Sequence, residues 1–227
     1  VVYADESELG KIARALDIGA NDYIFKPVDP HELQARLRTQ IRHKRTYDRL
    51  RLSYEKNMTM AITDSLTGVH NRHYLEKNLP RLFDRSKANK KPISVAMLDI
   101  DFFKKINDSY GHHVGDQVLQ ELVRRLNASM RFFDVVVRMG GEEFALIMPE
   151  TPYAAAMNAG ERLRAAISNA PFSINDPKLE LAVTMSVGVA GCDEGQDNAE
   201  VLLRKADAAL YKAKETGRNK VVGEKEV

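Results

Sequence analysis

The sequence predicts an α/β (α+β) fold in which one mixed sheet is flanked by helices. Three observations point there. An apolar run, Ile93–Leu98, ends in the carboxylates Asp99 and Asp101. A second apolar strand, Phe144–Met148, is entered from the turn Gly140-Gly141-Glu142-Glu143. Between and after such strands lie stretches of helical period, clearest in Leu202, Ala206, Ala209, Leu210 and Ala213 on one face. Strands alternating with helices, plus a central hairpin, make a helix-flanked mixed sheet.

In chain order, three parts are expected: a fragment over 1–45, a linker helix over 46–62 and a main domain over 63–227. Residues 1–29 read as strand, helix and strand, with Gly19 closing the helix and Tyr23-Ile24-Phe25 as the short second strand. Asp29-Pro30-His31-Glu32 starts a helix, with Asp as N-cap, Pro in the first position and Glu in the third. No Gly or Pro interrupts it from His31 to Ile62. In the main domain, Arg72–Lys87 reads as a helix, Ile93–Asp101 as a central strand, and 102–114 as a loop before a helix from Gly115 to Met130. Residues 134–138 and 143–148 pair about the glycine turn, Thr151-Pro152 opens a helix to Ser168, Leu181–Ala190 reads as one long strand, and 198–215 as a helix closed by Gly217.

Composition bounds the function. Across 227 residues, 44% are hydrophobic and 29% charged, which is ordinary globular usage. Lys and Arg number 34 against 32 Asp and Glu, so the net charge of +2 supplies no global field for nucleic acid. A single cysteine, Cys192, excludes an internal disulfide framework and fits a cytoplasmic location. No apolar run approaches the roughly 18 residues of a membrane helix. The chain opens without Met and in mid-pattern, so it is expected to be a piece of a longer protein. The basic stretch at Arg42, Lys44, Arg45, Arg49 and Arg51 has no base-reading module around it and reads as a solvated helix face.

The chemistry concentrates at two acidic strand ends. Asp99 and Asp101 stand two residues apart on one strand, so both are expected to lean to the same side. Charge at a buried strand end is costly unless solvated, paired or bound to metal. Hard oxygen ligands suit Mg2+, which takes one or two carboxylates and completes its shell with substrate phosphates. Asp99 and Asp101, with one of Glu142 and Glu143 from the neighbouring hairpin, could hold such an ion. Strand alternation lets only one of the two glutamates face a given side.

Four segments carry a resemblance: Asp99-Ile100-Asp101-Phe102-Phe103-Lys104-Lys105-Ile106-Asn107, Gly111-His112-His113-Val114-Gly115-Asp116, Arg138-Met139-Gly140-Gly141-Glu142-Glu143-Phe144, and Ala209–Asn219 with Lys214 and Arg218. In that order they resemble the GGDEF-type diguanylate cyclases, over roughly residues 61–222. Upstream, Gly19–Pro27, with Lys26-Pro27, resembles the last third of a receiver domain of the flavodoxin-like class. Receiver followed by cyclase is the arrangement of a group of response regulators, in which phosphorylation of the receiver controls the cyclase. The phospho-acceptor would precede Val1.

The resemblance implies a palm-like mixed sheet and a reaction in which two GTP condense to cyclic di-GMP and two pyrophosphates, each domain of a homodimer presenting one GTP. It implies Mg2+ or Mn2+, two per active site, on the Asp99 carboxylate, the Ile100 carbonyl and Glu142. Glu142 is also the implied proton acceptor, with Glu143 as the spare candidate because a metal-bound carboxylate is a poor base. Lys104 would stabilise charge on the transferred phosphoryl group. Asn107 and Asp116 would read the guanine edge, and Lys214 and Arg218 would hold the β- and γ-phosphates. Arg131-Phe132-Phe133-Asp134 matches the family's RxxD site, where cyclic di-GMP inhibits away from the active centre, with Arg162 in support.

Each position has a plainer reading. Asp99 could cap a turn, Lys104 could be a solvated lysine, and Lys214 and Arg218 could simply complement a helix C-terminus. Arg131 and Asp134 could form a surface i,i+3 pair. The adjacent His112 and His113 lack a cysteine partner and read as solvent-facing rather than as a zinc site. A receptor that binds cyclic di-GMP without catalysis is the competing class, and the presence of Asp99, Lys104, Asn107, Asp116 and Glu142 argues against it.

Overall fold

A computed structural model describes residues 2–192 and 198–227, without the side chains of 2, 3, 6 and 52–60. It divides into two compact units, residues 1–59 and 60–227. In the first, β1 (Val2–Ala4) and β2 (Tyr23–Phe25) pair in parallel across α1 (Leu9–Asp17). Helix α2 (Pro30–Ile62) follows without a break. Its start is built as its sequence reads: Asp29 Oδ1 accepts from the His31 amide at 2.8 Å. Arg36 then bridges Glu32 and Asp22, each at 2.9 Å.

The second unit is a six-stranded mixed sheet in the order β10-β9-β4-β6-β5-β3. The strands are β3 (His70–Asn71), β4 (Ile93–Ile100), β5 (Val135–Gly140), β6 (Glu143–Pro149), β9 (Met185–Cys192) and β10 (Val221–Gly223). The central strand β4 runs antiparallel to both β6 and β9, while the edge pairs β10–β9 and β3–β5 are parallel.

Strand alternation sorts the core into two layers. Ala96, Leu98 and Ile100 of β4 pack with α5 (His112–Ser129) and α6 (Tyr153–Ser168). Ile93, Val95 and Met97 pack on the opposite face with α3 (Arg72–Ala88) and α7 (Ala199–Glu215). Every residue of β4 is buried, as a strand covered on both faces requires. Helix α7 lies flush on β9: a Cβ at Gly188 would stand 2.1 Å from the Leu210 amide nitrogen and 2.2 Å from the Ala206 carbonyl oxygen. Only glycine permits that approach.

The structure corrects three expectations. The stretch read as a loop holds α4 (Phe103–Tyr110), and the next helix begins at His112 rather than Gly115. No cap side chain announces α4; it follows Phe102, which has a left-handed φ of 58°. The expected single strand Leu181–Ala190 is two elements. Lys178–Leu181 is β8, the return arm of a hairpin with β7 (Phe172–Asn175), and β9 starts only at Met185. The residues between belong to neither strand, although the Thr184 carbonyl still accepts from the Asp101 amide at 2.9 Å.

Candidate active site

The hairpin turn Gly140–Glu143 sets the site. Gly141 takes a φ of 52°, a left-handed conformation open to glycine without strain. A register shift between Arg138 and Gly140 tightens the turn. Arg138 braces it: its Nε and one terminal nitrogen donate to the Gly141 carbonyl at 3.0 and 2.9 Å, and the other reaches Asp64 at 3.0 Å. The Asp64 carboxylate also accepts from the Thr67 amide and hydroxyl. Burial works against its ionisation, but Thr67 and Arg138 outweigh it and hold the carboxyl below its ordinary value.

This turn delivers both glutamates to the end of β4. In register, Glu143 faces Asp99 directly, and the Ile100 amide donates to the Glu142 carbonyl at 3.4 Å. Asp99 is 6% exposed and lies on the α7 side of the sheet, where Lys214 Nζ approaches its carboxylate to 2.6 Å. Burial pushes the Asp99 carboxyl up to about 6; Lys214 opposes the shift, while Glu142 and Glu143 add to it. In register it is Glu143 that stands opposite Asp99, while Glu142 precedes β6 and lies near enough to raise the Asp99 carboxyl, so both glutamates come close to this strand end.

Asp101 lies beside it with its carboxylate already taken up. It leans to the side of Asp99, as the sequence predicts: its amide donates to the Thr184 carbonyl in continuation of the β4–β9 register, and it meets Ser186, the residue that pairs with Asp99. The Asp101 carboxylate accepts from Thr184 Oγ1 and Ser186 Oγ, both at 2.7 Å, and from the Asn219 amide at 3.0 Å.

The other candidates lie on α4, on α5 and at the end of α7. Lys104 is exposed in the first turn of α4. Asn107, on the same helix, lies over Gly115, where an added Cβ would meet Asn107 Oδ1 at 2.0 Å. Asp116 follows Gly115 and is exposed near the start of α5. Lys214 and Arg218, with Tyr211 and Glu215, line an open cavity of about 580 Å3. The Arg218 guanidinium sits 4.6 Å from the centre of the Phe102 ring, a cation–π contact.

The RxxD segment forms a second, separate locus before β5. Asp134 Oδ2 accepts from the Arg131 amide at 2.9 Å, so the carboxylate caps its own turn. Among the described residues Arg131 makes no ion pair, unlike the plain i,i+3 pair its spacing allows. Asp134 Oδ1 is buried and has no partner among the described residues. Arg162 Nε donates to the Ser129 carbonyl at 3.3 Å, at the foot of this segment. Beside it a cavity of about 370 Å3 is lined by Phe133, Leu82, Arg85 and Lys91. The sequence did not single out Arg85 or Lys91, because helix and loop bring them there from a distance in the chain.

A divalent cation fits the first locus. Among the described residues no three His, Cys, Asp or Glu side chains form a ready metal cluster. Two carboxylates and a carbonyl, however, match an ion completed by phosphate oxygens and water. The mutual repulsion of Asp99, Glu142 and Glu143 is what a cation would relieve, and the Lys214 ammonium stands in for that positive charge.

A nucleotidyl-transfer domain of palm-like fold is the class that this sheet and these strand-end carboxylates define. Comparison with known proteins makes the class specific. The profile of the family described as "Diguanylate cyclase, GGDEF domain" matches residues 61–220, and the chain belongs to that family. It is 45% identical over 219 residues to the response regulator PleD of Caulobacter vibrioides, covering 96% of this chain and 48% of that protein. It is 39% identical over 161 residues to the probable diguanylate cyclase DgcC of Escherichia coli K12, covering 71% and 43%. The chain thus spans about half the length of the curated relatives it matches. Among solved structures, the coiled coil and GGDEF domain of DgcB from Caulobacter crescentus, in complex with c-di-GMP, superposes with a TM-score of 0.77. Its identity is 32%, over 84% of this chain and 98% of that one. No helix among the described residues is long and apolar enough to cross a membrane.

Proposed function

We propose that the chain is the catalytic portion of a diguanylate cyclase that condenses two GTP to cyclic di-GMP and two pyrophosphates. The observation that carries this reading is the convergence of Asp99, Glu142 and Glu143 at one strand end facing Lys214. Asp99, the Ile100 carbonyl and Glu142 would hold Mg2+ or Mn2+. The ion would supply charge neutralisation at the α-phosphate and draw the attacking oxygen towards it.

The chain's own residues do the rest. Asn107 and Asp116 present an amide and a carboxylate to the guanine edge, rejecting adenine by leaving polar groups unpaired. Arg218 and Lys214 take the β- and γ-phosphates, Lys214 exchanging the Asp99 carboxylate for a phosphate oxygen. Lys104 faces charge developing on the transferred phosphoryl group. Glu142, or Glu143 beside it, accepts the 3′-hydroxyl proton. One domain presents one GTP, so the 3′-hydroxyl that attacks comes from a second copy of the domain, and catalysis belongs to the homodimer.

The RxxD locus fits a product-inhibition site. Exposed Arg131 and Arg162 guanidinium groups can fork onto phosphate or guanine, and the unpartnered Asp134 Oδ1 can accept from guanine N–H groups. The DgcB neighbour was solved with c-di-GMP, consistent with a cyclic dinucleotide as product or inhibitor. The first unit, with the Lys26 ammonium 3.4 Å from Asp5, is read as the end of a receiver that controls the cyclase. A cytoplasmic location follows from substrate and signal.

Incubating the protein with GTP and Mg2+ should yield cyclic di-GMP and pyrophosphate, with rate rising faster than linearly in dilute protein. Glu142→Gln should abolish it, and normal turnover by that variant would remove the metal assignment. Arg131→Ala should keep turnover and lose inhibition. Tight cyclic di-GMP binding with no turnover under any metal would favour the receptor reading.

A further inference from the structure

We propose that Asp101 is a positioning residue that holds Arg218 in place for the terminal phosphates of the nucleotide, and is not a metal ligand. The proposal rests on the phosphate-binding reading of Arg218 given above.

After α7 the chain makes a turn that residues other than glycine avoid. Arg218 and Asn219 have consecutive left-handed φ values of 63° and 45°. Such conformations are strained for residues with a side chain and persist only where the surroundings over-determine them. Four hydrogen bonds hold this stretch to the domain, one of them donated by an Arg164 terminal nitrogen to Asn219 Oδ1 at 2.7 Å. The Arg218 amide donates to the Ala213 carbonyl at 3.0 Å, closing the end of α7. The Lys220 carbonyl accepts from the Val187 amide at 2.9 Å, starting the β10–β9 pairing. Between them, the Asn219 amide donates to Asp101 Oδ2 at 3.0 Å, which ties the turn to the end of the central strand.

Asp101 is itself fixed for that task. It is 5% exposed, its amide donates to the Thr184 carbonyl, and the Thr184 and Ser186 hydroxyls donate to its two carboxylate oxygens. A carboxylate with three donors already on it has little left to offer a cation, and neither hydroxyl can be given up without leaving a buried polar group unpaired. The next residue completes the arrangement. Phe102, also left-handed, offers its ring to the Arg218 guanidinium at 4.6 Å. Consecutive residues 101 and 102 thus seat consecutive residues 219 and 218: one through the backbone, the other through the side chain.

The test is binding of a GTP analogue with a methylene bridge between the α- and β-phosphorus, in Mg2+, so that no turnover is needed. Arg218→Ala should raise its Kd about tenfold, and Asp101→Asn, whose amide cannot accept at every position, severalfold. In the double variant the Asp101→Asn effect should nearly vanish, because the group it positions is gone. The Mg2+ dependence of binding should be unshifted in Asp101→Asn. If Arg218→Ala leaves Kd unchanged, the phosphate reading itself fails. If Arg218→Ala weakens binding but Asp101→Asn does not, adds in full, or shifts the Mg2+ dependence, the positioning role alone is overturned. A thermal melt reports folding. Should Asp101→Asn not fold, Thr184→Val, which frees one carboxylate oxygen from its restraint, replaces it with the same expected coupling to Arg218. Full additivity there overturns the proposal equally.

Discussion

Lys214 Nζ stands 2.6 Å from a carboxylate oxygen of Asp99, so the candidate phosphate-binding cation and the candidate metal ligand neutralise one another. The pair is largely buried, with 31% and 7% of the two side chains exposed. Loading the site with substrate means parting them: the lysine must go to phosphate and the carboxylate to metal. Lys214→Met removes the internal competitor. Mg2+ measured by calorimetry without nucleotide should then bind severalfold more tightly, while the affinity for GTP falls. Weaker Mg2+ binding in that variant would show that Lys214 does not compete for Asp99.

The same carboxyl gives a pH dependence. Its ordinary value is 3.8, and in the fold it lies at about 6. A raised folded value means that the native state binds the proton more strongly than the unfolded chain. The resulting stabilisation is complete below the ordinary value and is lost as pH rises to about 6. Metal-free protein should lose part of its stability over that window, and Asp99→Asn should flatten that part of the curve. Mg2+ requires the ionised form, so its affinity should climb between pH 5 and 7 with release of a proton. Flat Mg2+ affinity across that range would contradict the shift.

Arg138 joins two segments far apart in the chain, Asp64 and the glycine turn, through the Asp64 carboxylate and the Gly141 carbonyl. Removing it frees the turn and leaves a partly buried carboxylate without its counter-charge, at a cost of about 1–3 kcal/mol. Arg138→Ala should cut turnover by tenfold or more at saturating GTP. Asp64→Asn should be partly epistatic to it, because each loosens the same turn. Simple additivity in stability and in rate would indicate two unconnected contributions.

Gly115→Ala tests base recognition without touching a base-reading side chain. A Cβ there would collide with Asn107 Oδ1, so the amide must swing away from its seat. Selectivity for GTP over ATP, as the ratio of kcat/KM values, should fall tenfold or more. Alanine favours the helix by about 1 kcal/mol over glycine, which offsets part of the crowding of the buried Phe103 ring, 3.2 Å from the added Cβ, and a thermal melt reports the balance. Unchanged selectivity would separate Asn107 from guanine recognition.

Much of this was readable from sequence, for identifiable reasons. Helices α3, α6 and α7 and strands β4 and β6 declared themselves because burial on one or two faces imposes a period. Glu142 and Asp99 were legible as a pair because each ends an apolar strand at a turn. What escaped was fixed by tertiary contact. Helix α4 carries only one buried residue, Phe103, and begins without a cap, so no period and no start signal marked it. The hairpin β7–β8 showed its alternation in Phe172 and Ile174. Yet Leu181 and Val183 blended it into the next strand, because nothing local marks the break at residues 182–184. Asp101 leans to the side of Asp99 as alternation predicts; what local sequence hid is that Thr184, Ser186 and Asn219 occupy its carboxylate.

Gly188 has a consequence for control. With the backbone of α7 resting on that glycine, the helix carrying Lys214 has no slack in which to slide, and lifting it would strip the middle of the sheet. A larger residue at position 188 would wedge α7 off the sheet and carry Lys214 away from Asp99, so a change far from the strand end would reach it through the helix.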